Sequence, residues 1–166
     1  CNLAIALAQS GKSVCLVESD LRRPWVTEYL EVTAGSGLTE VLAGQVKLND
    51  ALKPWGGGLL KVLPPGALPP NPSELLGSHQ MAHVLSSLKE KFDVVVLDTP
   101  PLLAVSDAAI LASQADGAII VVRYGQTTRE AFRNAIGNLT QINAQGMGTV
   151  LNAVPAKRGY GDGYGY

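Results

Sequence analysis

The chain has 166 residues, 46% of them hydrophobic and 16% charged, with a net charge of −1. That length suits one domain with a real core, and that balance excludes a disordered segment. The near-neutral charge gives no overall basic field for nucleic acid or anionic lipid, so any phosphate-binding function must sit in a local site.

Cys1 to Ala8 is already helical in pattern and ends near Gly11, a residue suited to the position just past a helix. There is no initiator Met, so the expectation is a piece of a longer protein that opens inside a helix. Ser13 to Val17 is a short apolar run with the length and β-branching of a buried strand. It leads into the charged loop Glu18-Ser19-Asp20-Leu21-Arg22-Arg23-Pro24. Residues 35 to 70, rich in Gly and Pro, are expected to cross the surface, with a short helix near Leu38 to Ala43. Leu59 to Leu63 is a weaker strand candidate. Asn71-Pro72-Ser73-Glu74 resembles a capping box, and Leu75, Leu76, Val84, Leu85 and Leu88 continue one helical face.

A second buried strand is expected from Asp93 to Leu97, again running into acid and proline as Asp98-Thr99-Pro100-Pro101. Ser106 can cap a shorter helix through Leu111. A strand over Ala118 to Val122 follows. The next helix is capped from Thr127, with Phe132, Ala135, Ile136, Leu139 and Ile142 at helical spacing. Gly148 to Leu151 is the last strand. Two cysteines, Cys1 and Cys15, are too few for a disulfide framework, and Cys15 reads as a buried reduced thiol. No apolar run approaches the ~20 residues that span a bilayer.

Strands alternating with helices, each strand apolar throughout, predict an α/β fold. Its sheet is doubly wound and mainly parallel, with helices on both faces. Ligands bind such sheets beyond the carboxyl ends of the strands, where the acidic residues cluster.

Asp98, directly after an apolar strand, fits a carboxylate that holds Mg²⁺, although strand-end aspartates also cap loops. If the chain stays extended past Val17, Glu18, Asp20 and Arg22 project to one side and suit a Mg²⁺–phosphate site; a solvated turn with a surface ion pair is the alternative. Asn152, just past the last strand, can donate and accept at once, as reading a purine edge requires, or can stabilise its own turn. Three of the five tyrosines, Tyr160, Tyr164 and Tyr166, fall in the last seven residues and alternate with glycine. They read as exposed phosphate acceptors or as a Gly/Tyr low-complexity tail. His79 and His83 lie four apart with no third ligand in view, as on any exposed helix face.

Together these residues resemble the cytoplasmic kinase domain of the bacterial tyrosine kinases of capsular and exopolysaccharide synthesis, relatives of septum-site and partitioning P-loop ATPases. The resemblance rests on the acid-x-acid-x-Arg stretch after Val17, on Asp98-Thr99-Pro100-Pro101, on Pro69 to Leu76, on Val150-Leu151-Asn152 and on the tyrosine tail. It implies a kinase domain over 1–156 and a flexible tail over 157–166. It also implies ATP and Mg²⁺, with Asp20 and Asp98 on the metal, Arg22 offsetting phosphate charge, Glu18 or Asp20 facing the incoming tyrosine, and Asn152 on the adenine. Tyr160, Tyr164 and Tyr166 would be phosphorylated in trans within a homo-oligomeric ring. The partner would be a membrane chain-length-determinant protein, fused upstream or separate, at the inner face of the plasma membrane. Two features depart from the family. Glu18 stands where Asp is usual, and no G-x-x-x-x-G-K-[ST] loop occurs in the chain. The expectation is that the isolated 166-residue chain binds ATP poorly and has no autokinase activity. A partitioning-type ATPase without kinase activity and a non-catalytic regulator are the alternatives.

Overall fold

The computed structural model describes residues 1–33, 35–58 and 60–155, which fall into two compact units, Cys1–Gln114 and the segment from Ala115 onward.

The first unit is built around β1 (Val14–Glu18), buried at all five positions. It pairs in parallel with β3 (Leu60–Leu63) on one side and with β4 (Val94–Asp98) on the other. A fourth strand, β2 (Lys53–Trp55), lies antiparallel on β3, giving the order β2-β3-β1-β4. This strand was not expected, because it is three residues long and contains Pro54, which is tolerated only on an edge.

Alternation along β1 serves two cores. Val14 and Leu16 pack with Ala4 and Ala8 of α1 (Asn2–Gln9) and with Val26 of α2 (Val26–Tyr29). Cys15 and Val17 face the other way, toward Leu38 and Leu42 of α3 (Leu38–Leu42) and Ala51 of α4 (Leu48–Ala51). The same layer holds Leu76 of α5 (Pro72–Leu76), Met81, Leu85 and Leu88 of α6 (His79–Lys89), and Leu111 of α7 (Asp107–Gln114). A sheet buried on both faces needs strands apolar throughout, which is how β1 reads.

The expected single helix after Asn71 is two. Gly77 ends α5, and Ser78 caps α6 by accepting the N–H of Met81 at 3.3 Å. The glycine- and proline-rich stretch is also more ordered than expected. Glu40 accepts the N–H of Gly37 (2.7 Å) and of Ala67 (2.9 Å), while Leu38 and Thr39 donate to Pro64 and Pro65. This clamp fits only glycine at two places. A Cβ on Gly37 would strike the Pro64 carbonyl, and one on Gly66 (φ +79) would strike the Glu40 carboxylate.

In the second unit β5 (Ala118–Arg123) lies parallel to β6 (Gly146–Asn152), with α8 (Arg129–Gln141) between them in sequence. The cap of α8 is Thr128, one residue later than expected; it accepts the N–H of Ala131 at 3.1 Å. Thr127 instead accepts the N–H of Arg123 at 2.8 Å.

Candidate functional site

In the first unit, loops leave the carboxyl ends of β1, β3 and β4 on one edge of the sheet, and the candidate site forms there. Glu18 and Asp98 end β1 and β4 at the same register position, and the N–H of Ser19 donates to the Asp98 carbonyl at 2.9 Å. Glu18 is fully buried. Its Oε2 accepts the N–H groups of Trp25 (2.9 Å) and Val26 (2.6 Å), and its Oε1 that of Asp20 (3.4 Å). Burial pushes its pKa up to about 7 against these donors, with the neighbouring Asp98 charge adding to the rise.

Burial also raises the Asp98 pKa. The nearby Asp20 charge pushes it up further. Asp20, half-buried, uses Oδ1 to accept the N–H groups of Arg22 (3.0 Å) and Arg23 (2.9 Å). That turn occupies only one of its two oxygens.

The expectation of an extended 18–22 segment is therefore corrected. The strand stops at Glu18, and the turn on Asp20 folds the chain, so Glu18, Asp20 and Arg22 do not line one side. Arg22 instead forms a fork-to-fork pair with Asp107, Nε to Oδ2 at 2.8 Å and Nη2 to Oδ1 at 3.0 Å. Ser73 donates to Asp107 Oδ1 (2.6 Å) and accepts from Arg22 Nη2 and from Ser106 Oγ, each at 3.2 Å. The hydrogen bonds from Arg22, reinforced by Ser73, hold the fully buried Asp107 carboxyl below its ordinary range, and the same pair raises the Arg22 pKa. Ser73 stands out in the sequence only as part of the stretch that opens α5, and Asp107 does not stand out at all. The only local signal is an acid in the first turn of α7, which reads as an ordinary helix start.

Among the described residues no group of three or more His, Cys, Asp or Glu side chains could hold a metal alone. Asp20 and Asp98, close enough for one charge to act on the other, still fit Mg²⁺. That ion is usually held by one or two carboxylates, with waters and phosphate oxygens completing the shell. His79 and His83 are exposed on α6. Asn152 closes β6 in the second unit, where its Oδ1 accepts the N–H of Ala153 at 2.8 Å and its carbonyl accepts that of Tyr124 at 2.9 Å. Tyr160, Tyr164 and Tyr166 lie outside the described residues.

Residues 1–150 match the family model described as an AAA domain. The chain is 35% identical, over 99% of its length, to the tyrosine-protein kinase wzc of Salmonella typhimurium, and it spans 23% of that protein. It superposes on the kinase domain of the Escherichia coli tyrosine kinase ETK with a TM-score of 0.89 and 36% identity, covering 99% of this chain and 64% of that one. The septum site-determining protein MinD of Pyrococcus horikoshii, solved with Mg-ADP, matches with a TM-score of 0.69 and 26% identity, over 90% of this chain and 61% of that one.

Proposed function

This chain belongs to the AAA-domain family and, within it, to the bacterial tyrosine-protein kinases, and from that membership we propose that its parent protein transfers the γ-phosphoryl group of ATP to tyrosine. The observation that carries the reading is the convergence of Asp20 and Asp98 at the carboxyl edge of a parallel sheet, where α/β proteins bind nucleotides.

Bound there, Mg-ATP supplies the phosphoryl group and the metal charge that offsets its oxygens. Asp98 and Asp20 would hold the metal. Glu18, whose oxygens are taken by backbone N–H groups and whose pKa is raised to about 7, fixes the entry to α2. That leaves Asp20 as the carboxylate to face the tyrosine. A phenol of pKa about 10 arrives protonated, so Asp20 would orient its hydroxyl and receive its proton as the phenol oxygen bonds to the γ-phosphorus and the bond from that phosphorus to the departing ADP oxygen breaks. Asn152 reads the adenine.

Residues 1–156 form the catalytic part and 157–166 its substrate, with Tyr160, Tyr164 and Tyr166 accepting phosphate from neighbouring subunits of a ring. Added charge on these tyrosines repels the tail from the carboxylates and loosens the ring. The parent protein works at the inner face of the plasma membrane with a chain-length-determinant domain, and controls capsule or exopolysaccharide export.

The full-length parent protein, incubated with Mg-ATP labelled at the γ-phosphate, tests this. Label on phosphotyrosine, lost when all three tail tyrosines become Phe, supports the reading. Label released only as inorganic phosphate would support the partitioning-type ATPase, and absence of both would support a non-catalytic regulator.

A further inference from the structure

Asp107 is fully buried, a costly position for a carboxylate unless donors surround it. Here they do, and each comes from a different segment of the site edge. Arg22 belongs to the loop after β1, Ser73 to the start of α5, and Ser106 reaches the cluster through Ser73 from the loop after β4. One carboxylate thus ties together segments that are up to 85 residues apart in sequence. The pair bears directly on the metal-binding candidate, because the N–H groups of Arg22 and Arg23 are the donors that hold Oδ1 of Asp20. Leu21, buried between them, fixes the loop to the core. The Arg22–Asp107 fork fixes its rotation about that point.

We propose that Asp107 is a positioning residue for the metal site: by holding the guanidinium of Arg22, and Ser73 beside it, it sets the turn that aims the second oxygen of Asp20 toward Asp98 and the metal. The inference rests on the proposed kinase reading for the identity of the site. Arg22 then acts through its backbone and its partner, and not as a free cation on the transferring phosphate.

The test uses the full-length parent protein, Mn²⁺ as the probe and a non-hydrolysable ATP analogue, with Mn²⁺ binding followed by electron paramagnetic resonance. Variants are Asp107→Asn, Arg22→Ala, their double and Ser73→Ala, each checked for native circular dichroism. Loss of an outer partner of a metal ligand typically weakens binding about 10- to 100-fold, and Asp107→Asn is expected in that range. Residues acting through one another are not additive, so the double should bind Mn²⁺ no more weakly than Arg22→Ala alone. Folded Asp107→Asn with wild-type Mn²⁺ affinity overturns the proposal, as do losses that multiply in the double. If Asp107→Asn does not fold, Ser73→Ala decides, with weaker Mn²⁺ binding in support and unchanged binding against. Wild-type protein that binds no Mn²⁺ also overturns it. Protein that shows the Mn²⁺ pattern but puts no phosphate on tyrosine removes the kinase reading and leaves this inference standing.

Discussion

Glu18 and Asp98 end adjacent parallel strands at one register position, so two carboxyl groups largely withdrawn from water stand close enough for the Asp98 charge to help raise the Glu18 pKa. Burial, with the Asp98 charge beside it, keeps a proton on Glu18 to a pH of about 7.

The pairing predicts how stability varies with pH. The ordinary Glu18 value is 4.5 and the folded value about 7, so between them the unfolded chain gives up a proton that the folded chain keeps. The stabilisation is complete below the lower value and is lost as pH rises toward the upper one. The loss is on the order of 3 kcal/mol at most. Urea unfolding at pH 5 and pH 8 measures it. Glu18→Gln keeps an acceptor for the Trp25 and Val26 N–H groups and should flatten the difference. Equal slopes in both proteins would contradict the assignment of the raised group.

Asp98→Asn separates chemistry from folding. Loss of the charge removes one cause of the raised Glu18 pKa, so the variant should be at least as stable as the parent at pH 8. Phosphotyrosine formation should fall by about 100-fold or more, as when an electrostatic contact to the reacting group is removed. A stable variant of undiminished activity would remove Asp98 from the metal site.

The Glu40 clamp makes a prediction about two positions at once. Glu40→Ala leaves the N–H groups of Gly37 and Ala67 without their acceptor, at a cost of about 1–3 kcal/mol. Gly66→Ala forces a side chain into a positive-φ position against the Glu40 carboxylate, also costing about 1–3 kcal/mol. Removing the carboxylate relieves that clash, so the double variant should lose less than the sum. Thermal unfolding of the four proteins gives the cycle, and strict additivity would contradict the contact.

Leu16, with no exposed surface, fills the layer between β1, α1 and α2. Leu16→Ala should cost about 2–5 kcal/mol through the cavity it leaves. Denaturant unfolding with an unchanged slope would report that loss cleanly. A change below about 1 kcal/mol would mean that α1 collapses onto the gap.

The strands were legible where an apolar run meets an acid. Asp98 and Glu18 stand out because β1, fully buried, and β4, partly buried, carry no polar residue until they end. The loop after β1 was misread for a physical reason. Alternation predicts side chains only while the backbone stays extended, and Asp20 captures two backbone N–H groups that turn it. Asp107 was invisible because its partner Arg22 lies 85 residues away, and no local pattern encodes such a pairing. The weak strand reading at Leu59 to Leu63 proved to be a buried parallel neighbour of β1, since pairing rewards residues that periodicity cannot rank. Two helices were read as one continuous face because Gly77 interrupts the chain without interrupting the spacing of apolar residues.

Because β1 is gripped on both faces and paired along both edges, its amides at Cys15, Leu16 and Val17 should be among the last in the first unit to exchange with deuterated water. From Asp20 onward the loop has no strand neighbour, and it is held by Leu21 in the core and by the Arg22–Asp107 pair. The carboxylate of Glu18 therefore marks the border between a slow and a fast part of the molecule. Warming would loosen the turn that carries Asp20 well before the strand beneath it, and the site would lose its shape while the sheet still held.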